Sequence, residues 1–236
     1  RGEVLLGMDR QCRLKESHLL IVGLGGVGSW AAEMLCRAGV GAMTIVDADV
    51  VDVTNINRQM PALSTTIGKK KTEVVKERLL AINPDANVTA VDKAYTQANQ
   101  ADFHLADYDI IIDAIDSLTN KAALILEAAS YDDKIFVSSM GAASKIDATQ
   151  ISIAEFWKVK GCPLAAALRR KFKKSKEFPS QKFKCVYSEE LLSNQGEMPM
   201  DENGNPIRAN GTIAHTTAIF GFTLAGLVIQ DIIKKQ

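Results

Sequence analysis

The chain has 236 residues, 47% of them hydrophobic, and its 28 basic residues equal its 28 acidic ones. That is ample apolar material for a core, and zero net charge excludes a whole-molecule attraction to nucleic acid or membrane, so any such preference must be local. The four cysteines, Cys12, Cys36, Cys162 and Cys185, show no C-x-x-C spacing, which argues against a structural zinc site or a disulfide framework and makes a reducing cytoplasm the default compartment.

The chain as given starts at Arg1 with no secretory signal, which reads as a trimmed terminus, and Arg1 lies on an end expected to be mobile. Met8 to Glu16 predicts a short helix. Leu19 to Val22 is apolar on both faces, as a buried parallel strand is, and runs into Gly23, Gly25, Gly26 and Gly28 before residues at helical spacing. Gly23, Gly25 and Gly28 fit G-x-G-x-x-G, a strand-to-helix turn that brings backbone N–H groups and a positive helix end to an anion. Met43 to Val46 predicts a second strand, ending in Asp47 about where that motif places an acid on ribose hydroxyls. These two features suit NAD and ATP alike.

Residues 48–59 are too polar and irregular for a regular element. Lys69 to Ile82 predicts a helix with Thr72, Val75, Leu79 and Ile82 on one face, stopped by Asn83 and Pro84. Strands follow at Asn87 to Val91 and Asp109 to Asp113, a helix between Asp116 and Tyr131, and a strand at Ile135 to Ser138. This alternation predicts an α/β fold, a doubly wound, Rossmann-like, mainly parallel sheet. Ile151 to Ile153 should open a differently organised C-terminal extension of mixed α and β elements, with a basic helix from Pro163 to Lys174 and a short strand from Phe183 to Tyr187. The chain is thus read as a single domain over 1–236, with a nucleotide-binding core at 1–140, a substrate-binding extension at 141–236 and a mobile loop at 193–211. Ile213 to Ile233 is near spanning length, but His215, Thr216, Thr217, Gln230 and Asp231 make it a core helix, with Gly221 and Gly226 allowing close packing, so no membrane is expected as a partner.

Arg58 and Lys71 are cations placed to neutralise a polyphosphate, which a dehydrogenase needs less; alone, Lys71 within Lys69–Lys71 reads as a solvated charge. Asp116, just past a buried strand, is either a magnesium ligand or the cap of the next helix. Cys185 is the best thiol candidate, though an inert buried cysteine is the simpler reading, and His215 reads as a structural contact.

With these residues assembled, the sequence resembles the ubiquitin-activating-type adenylyltransferases, through Gly23–Gly28, Asp47-Ala48-Asp49, Asn55-Ile56-Asn57-Arg58-Gln59, Gly68–Lys71 and Asp113–Asp116. The resemblance implies ATP and Mg2+, with Asp47 on ribose, Asn55, Arg58 and Lys71 on phosphates, Gln59 in support, Asp49 within the site and Asp116 on the metal. It also implies a homodimer in which Arg1 completes the neighbouring site. The closer resemblance is to the tRNA threonylcarbamoyladenosine dehydratases, through Gly26–Glu33, Thr54–Gln59, Ile112–Ser117 with Lys121, Ile146–Ile151, Pro163-Leu164-Ala165 with Arg169, and Val186-Tyr187-Ser188. It implies ATP-dependent activation of the side-chain carboxylate of a modified adenosine beside the tRNA anticodon, followed by ring closure. The main alternative is activation of the C-terminus of a ubiquitin-like or sulfur-carrier protein; another is an NAD-dependent oxidoreductase, which leaves Arg58, Lys71 and Asp116 without a shared purpose. A monovalent cation and a sulfur-transfer protein remain open as additional cofactor and partner.

Residues 169–184 hold eight basic residues against one acidic, with Phe172, Phe178 and Phe183 interleaved. By itself such a run is usually a solvated face; with the resemblance it becomes the expected tRNA contact, through Arg169, Arg170, Lys173 and Lys174 and with the phenylalanines able to stack on bases.

Overall fold

The computed structural model describes residues 1–198, 200, 204–206 and 210–234. Among these residues seven strands form one sheet: β1 (His18–Val22), β2 (Ala42–Val46), β3 (Asn87–Val91), β4 (Ile110–Asp113), β5 (Ile135–Ser139), β6 (Ile151–Glu155) and β7 (Lys184–Ser188). Their order is β3-β2-β1-β4-β5-β7-β6, parallel throughout except for antiparallel β6 at one edge. The order reverses direction between β1 and β4, which opens a crevice at the carboxyl ends of those strands.

The central strands are near-continuous apolar runs because both of their faces are covered. On one face Leu19, Ile21, Ile110 and Ile112 meet α3 (Gly28–Ala38), α4 (Lys71–Ile82) and α7 (Ala214–Lys234). On the other, Leu20, Val22 and Ile111 meet α5 (Leu118–Ala128) and α6 (Pro163–Ser175). Two short helices, α1 (Gly2–Leu6) and α2 (Met8–Glu16), precede the sheet; the sequence announced only the second, since α1 buries none of its residues and so has no apolar stripe to read.

The C-terminal strands join the main sheet, although the sequence places them in a differently organised region. β7 pairs in parallel with β5 through Ser138↔Cys185, and β6 then pairs back onto β7, so the extension continues the core. Within 193–211, residues 199, 201–203 and 207–209 lie outside the described residues; of the remainder, Met200 bridges Pro206 and Gly211 donates to Asn194.

α7 is long and apolar enough to cross a membrane by composition, yet 56% of its most apolar window is buried here, mainly against α3. Gly221 explains the approach: a Cβ there would lie 2.5 Å from the Val27 carbonyl. Gly226, expected to do the same, faces open space with nothing within 4 Å, so its lack of a side chain serves no contact.

Candidate functional site

The crevice is a cleft of about 910 Å³. Its floor is the turn after β1. Gly23 has φ +97°, and a Cβ there would sit 2.6 Å from the Ala114 carbonyl; a Cβ on Gly28 would sit 1.8 Å from the Gly23 carbonyl. The turn therefore closes only with glycine at both positions. No described partner holds the N–H groups of Gly25, Gly26 and Val27, and no side chain caps α3, so the helix start presents free donors to the cleft.

Asp47, at the end of β2, staples this turn. Its Oδ2 accepts from the Leu24 N–H at 2.6 Å and its Oδ1 from the Asp49 N–H at 2.8 Å. Burial raises the Asp47 pKa, with the Leu24 N–H and the Lys71 charge acting against that rise. Asp49 in turn meets Lys71 Nζ at 2.8 Å. Lys71 is buried, which corrects its reading as a solvated charge: the chain bends at Gly68 so that Lys71 enters α4 against Asp49, while its neighbour Lys70 takes the outward position and pairs with Asp92 at 2.7 Å.

The irregular segment after β2 contains one short helical turn, Val53–Asn55, closed by reciprocal capping between Asp52 and Asn55. From it Arg58 Nη1 donates to the Thr54 carbonyl at 2.9 Å and to Asn57 Oδ1 at 2.8 Å, and Trp30 Nε1 donates to the Arg58 carbonyl at 3.2 Å. Gln59 lies buried on the cleft wall with its Oε1 unpartnered among the described residues. A buried amide oxygen without a donor is unfavourable, so this atom fits a bound polar ligand.

The opposite wall follows β4. Asp113 and Lys121 are fully buried and paired at 2.8 Å. Asp116 is exposed to the cleft and makes no hydrogen bond among the described residues; the cap of α5 is Ser117, which settles against a capping role for Asp116. With Asp113 already neutralised by Lys121, Asp116 is the wall's free carboxylate, available to a cation.

The cleft thus gathers Gly23, Gly25, Gly26, Asp47, Asp49, Asn55, Arg58, Gln59, Lys71 and Asp116, with Gly28 packed beneath. Arg1 is exposed and does not line the cleft of its own chain. The sequence reading missed Lys93 and Tyr95 beyond β3, the segment Ser139–Ala143 at and beyond the end of β5, Leu164 on α6, and Thr217 on α7. For Ser139–Ala143 a signal existed, since the carboxyl end of any parallel strand is a candidate wall. Tyr95 donates to Glu127, and burial first, then that carboxylate, hold its pKa far above the ordinary value.

The sequence model of the ThiF family matches residues 3–236. The chain belongs to the ThiF family. It is 41% identical to a tRNA threonylcarbamoyladenosine dehydratase of Haemophilus influenzae, over 97% of this chain and 90% of that one. It is 45% identical to the Escherichia coli enzyme of the same name, over 93% and 87%. The crystal structure of E. coli tRNA N6-threonylcarbamoyladenosine dehydratase in complex with ATP superposes with TM-score 0.86 at 37% identity, covering 98% of this chain and 92% of that one.

Outside the cleft, this ThiF-family chain divides its basic segment into inward and outward parts. Arg169 Nη1 donates to the carbonyls of Phe156 at 3.1 Å and Val159 at 2.9 Å, and its guanidinium lies 5.9 Å from the Phe156 ring. These contacts hold Arg169 half-buried against the protein, whereas Arg170, Lys173 and Lys174 are exposed. Phe172 and Phe183 are buried, so they are core anchors and not stacking platforms; Phe178 alone of the three is exposed, 6.2 Å from Trp157. Burial pushes the Cys185 thiol well above its ordinary pKa, which suits an inert core cysteine. His215 Nε2 lies 2.7 Å from the Ile146 carbonyl, a structural contact.

Proposed function

We propose that this chain is an ATP-dependent tRNA threonylcarbamoyladenosine dehydratase, acting as one unit with a nucleotide-binding core at 1–140 and a substrate-binding extension at 141–236. The observation that carries the reading is the convergence of Arg58, buried Lys71 and unpartnered Asp116 around a glycine turn with free N–H groups, a set that matches a polyphosphate and leaves a nicotinamide nucleotide without use for it. ATP lies with ribose toward Asp47 and phosphates toward Asn55, Arg58 and Lys71, and the Gln59 amide meets it. Mg2+ held by Asp116 would supply charge neutralisation of the phosphates.

A carboxylate is a poor acyl donor because its oxygen leaves badly. Attack of the substrate carboxylate oxygen on the α-phosphorus expels pyrophosphate and yields an acyl-adenylate, whose leaving group is AMP. The neighbouring carbamoyl group then attacks the acyl carbon and expels AMP with loss of a proton, so the net change in the nucleoside is loss of water. Ring closure is intramolecular and gains from proximity. Arg58 and Lys71 favour the charge that builds on the phosphates.

The active form in this reading is a cytoplasmic homodimer in which the partner subunit's Arg1 reaches the phosphates. Support comes from the exposure of Arg1 and from Val4 and Leu5 beside it, 91% and 82% exposed in the single chain. Mixing Arg1→Ala and Asp116→Ala subunits should restore one working site per dimer. A monovalent cation and a sulfur-transfer protein are additions to test in the same assay. That assay is ATP-to-pyrophosphate exchange with modified tRNA, a small sulfur-carrier protein, or no acyl donor. Exchange with modified tRNA alone is expected; exchange with the carrier protein alone would overturn the proposal.

A further inference from the structure

A second cleft, of about 390 Å³, lies at the opposite end of the sheet from the nucleotide site. It exists because β7 starts late: the first β5–β7 pair is Val137↔Lys184, so Ile135 and Phe136 have no β7 neighbour and the sheet gapes below them. Among the described residues four lysines line the gap, Lys134, Lys182, Lys184 and Lys234, against one carboxylate, that of Asp231. Lys184 spends its charge on Asp231, at 2.7 and 2.8 Å, and Lys134 meets Asp133 at 3.4 Å. Lys182 and Lys234 are exposed and enter no ion pair among the described residues.

The two clefts are joined along the surface by α6. Its first turn reaches the nucleotide cleft through Leu164, and the segment after it enters the second cleft at Gln181 and Lys182. Arg170, Lys173 and Lys174 are exposed between these points. A helix of 13 residues at 1.5 Å per residue covers about 20 Å. Cations spaced along such a path, facing water and not enclosed, suit the phosphates of a chain and not a small anion, which needs a closed cradle.

We propose that the Lys182–Lys234 cleft is a second backbone-phosphate station for the RNA substrate: with the reacting nucleoside at the Leu164 end, the RNA runs along the roughly 20 Å of α6 and is held again past its far end. This rests on the RNA-modifying reading above. The station gives length selectivity, because an RNA too short to reach it loses its contacts while the reacting end is bound as before.

The test uses the Lys182→Ala/Lys234→Ala variant of the whole chain, with full-length modified tRNA and a short modified anticodon-loop oligonucleotide as substrates. Neither lysine is buried or, among the described residues, paired, and an unchanged melting midpoint checks the fold. The KM for full-length tRNA should rise several-fold, and the log-log dependence of its binding on salt should become shallower by about 2. The KM for the short oligonucleotide and the KM for ATP should stay at wild-type values. Full-length tRNA used as well as by wild type, with an unchanged salt slope, would overturn the station. So would an equal loss with both RNAs, which would mean an effect on the reacting end. Wild-type protein that binds ATP but uses neither RNA would instead sink the underlying reading, and the station with it.

Discussion

Lys121 and Asp113 pair at 2.8 Å with neither side chain exposed to solvent. Lys121 Nζ also donates to the Ile115 carbonyl at 2.9 Å, the Ser138 hydroxyl donates to Asp113 Oδ2 at 2.7 Å, and the Ile115 N–H donates to Asp113 Oδ1 at 3.1 Å. The segment that presents Asp116 is thereby tied to β4, β5 and α5 at once. Removing the lysine alone strands a buried carboxylate. Lys121→Met should therefore destabilise the fold by about 3–5 kcal/mol, read from urea unfolding. Asp113→Leu/Lys121→Met together should lose less than the single variant; an equal or larger loss would mean the pair's charge is not what matters.

Glu33 of α3 receives Arg78 Nε at 2.7 Å from α4 and Arg37 Nε at 2.8 Å from its own helix. Burial raises its pKa, but the hydrogen bonds from Arg78 and Arg37 more than reverse this, leaving it below the ordinary glutamate value. A depressed acid adds stability that is complete above the unfolded pKa and is lost as pH falls through the folded one. Glu33→Gln should thus be less stable than wild type at pH 7, and the gap should narrow below about pH 4. A gap that is constant with pH would point to lost packing alone.

Asp116 and Asp47 should fail differently. Asp116→Ala removes a carboxylate that bonds no other described residue, so the melting midpoint should hold while kcat falls on the order of 10²-fold or more. Asp47→Ala frees the glycine turn and, in the proposed reading, a ribose contact, so the KM for ATP should rise and the midpoint drop. Near-normal turnover in Asp116→Ala would remove the carboxylate from the mechanism.

Two glycines separate sterics from propensity. Gly28→Ala drives a Cβ into the Gly23 carbonyl at 1.8 Å and should abolish ATP binding or folding. Gly226→Ala meets nothing within 4 Å and lies inside a helix, so it should stabilise by about 0.5–1 kcal/mol. Thermal melts compare the two directly.

Arg169 and its neighbours make a third contrast. Arg170→Ala/Lys173→Ala/Lys174→Ala should weaken tRNA binding, flatten its salt dependence and leave stability within about 0.5 kcal/mol for each site. Arg169→Ala should do the reverse, lowering stability through the lost Phe156 and Val159 contacts. Filter binding at two salt concentrations, paired with urea unfolding, reads both.

Local pattern alone makes most of the fold legible. Apolar runs on both strand faces mark β1, β2, β4 and β5 as buried and parallel; the glycine turn marks where a helix begins against an anion, and Pro84 marks where α4 must already have stopped. Each of these is a property of consecutive residues, so the chain carries it alone. Partners distant in sequence were decided only by packing. Lys71 looks like one of three surface lysines until Asp49 is folded beside it, and the insertion of β7 between β5 and β6 follows from edge pairing that no stretch of residues encodes by itself. Arg169 stands between the cases: it lies three residues before buried Phe172 and four after buried Ala165, so helical spacing already placed it on the border of the inward face of α6. What it touches there, two carbonyls and a ring from the Phe156–Val159 segment, depended on the tertiary structure, because a hydrogen-bond acceptor exists at that point only once the sheet and helix have met.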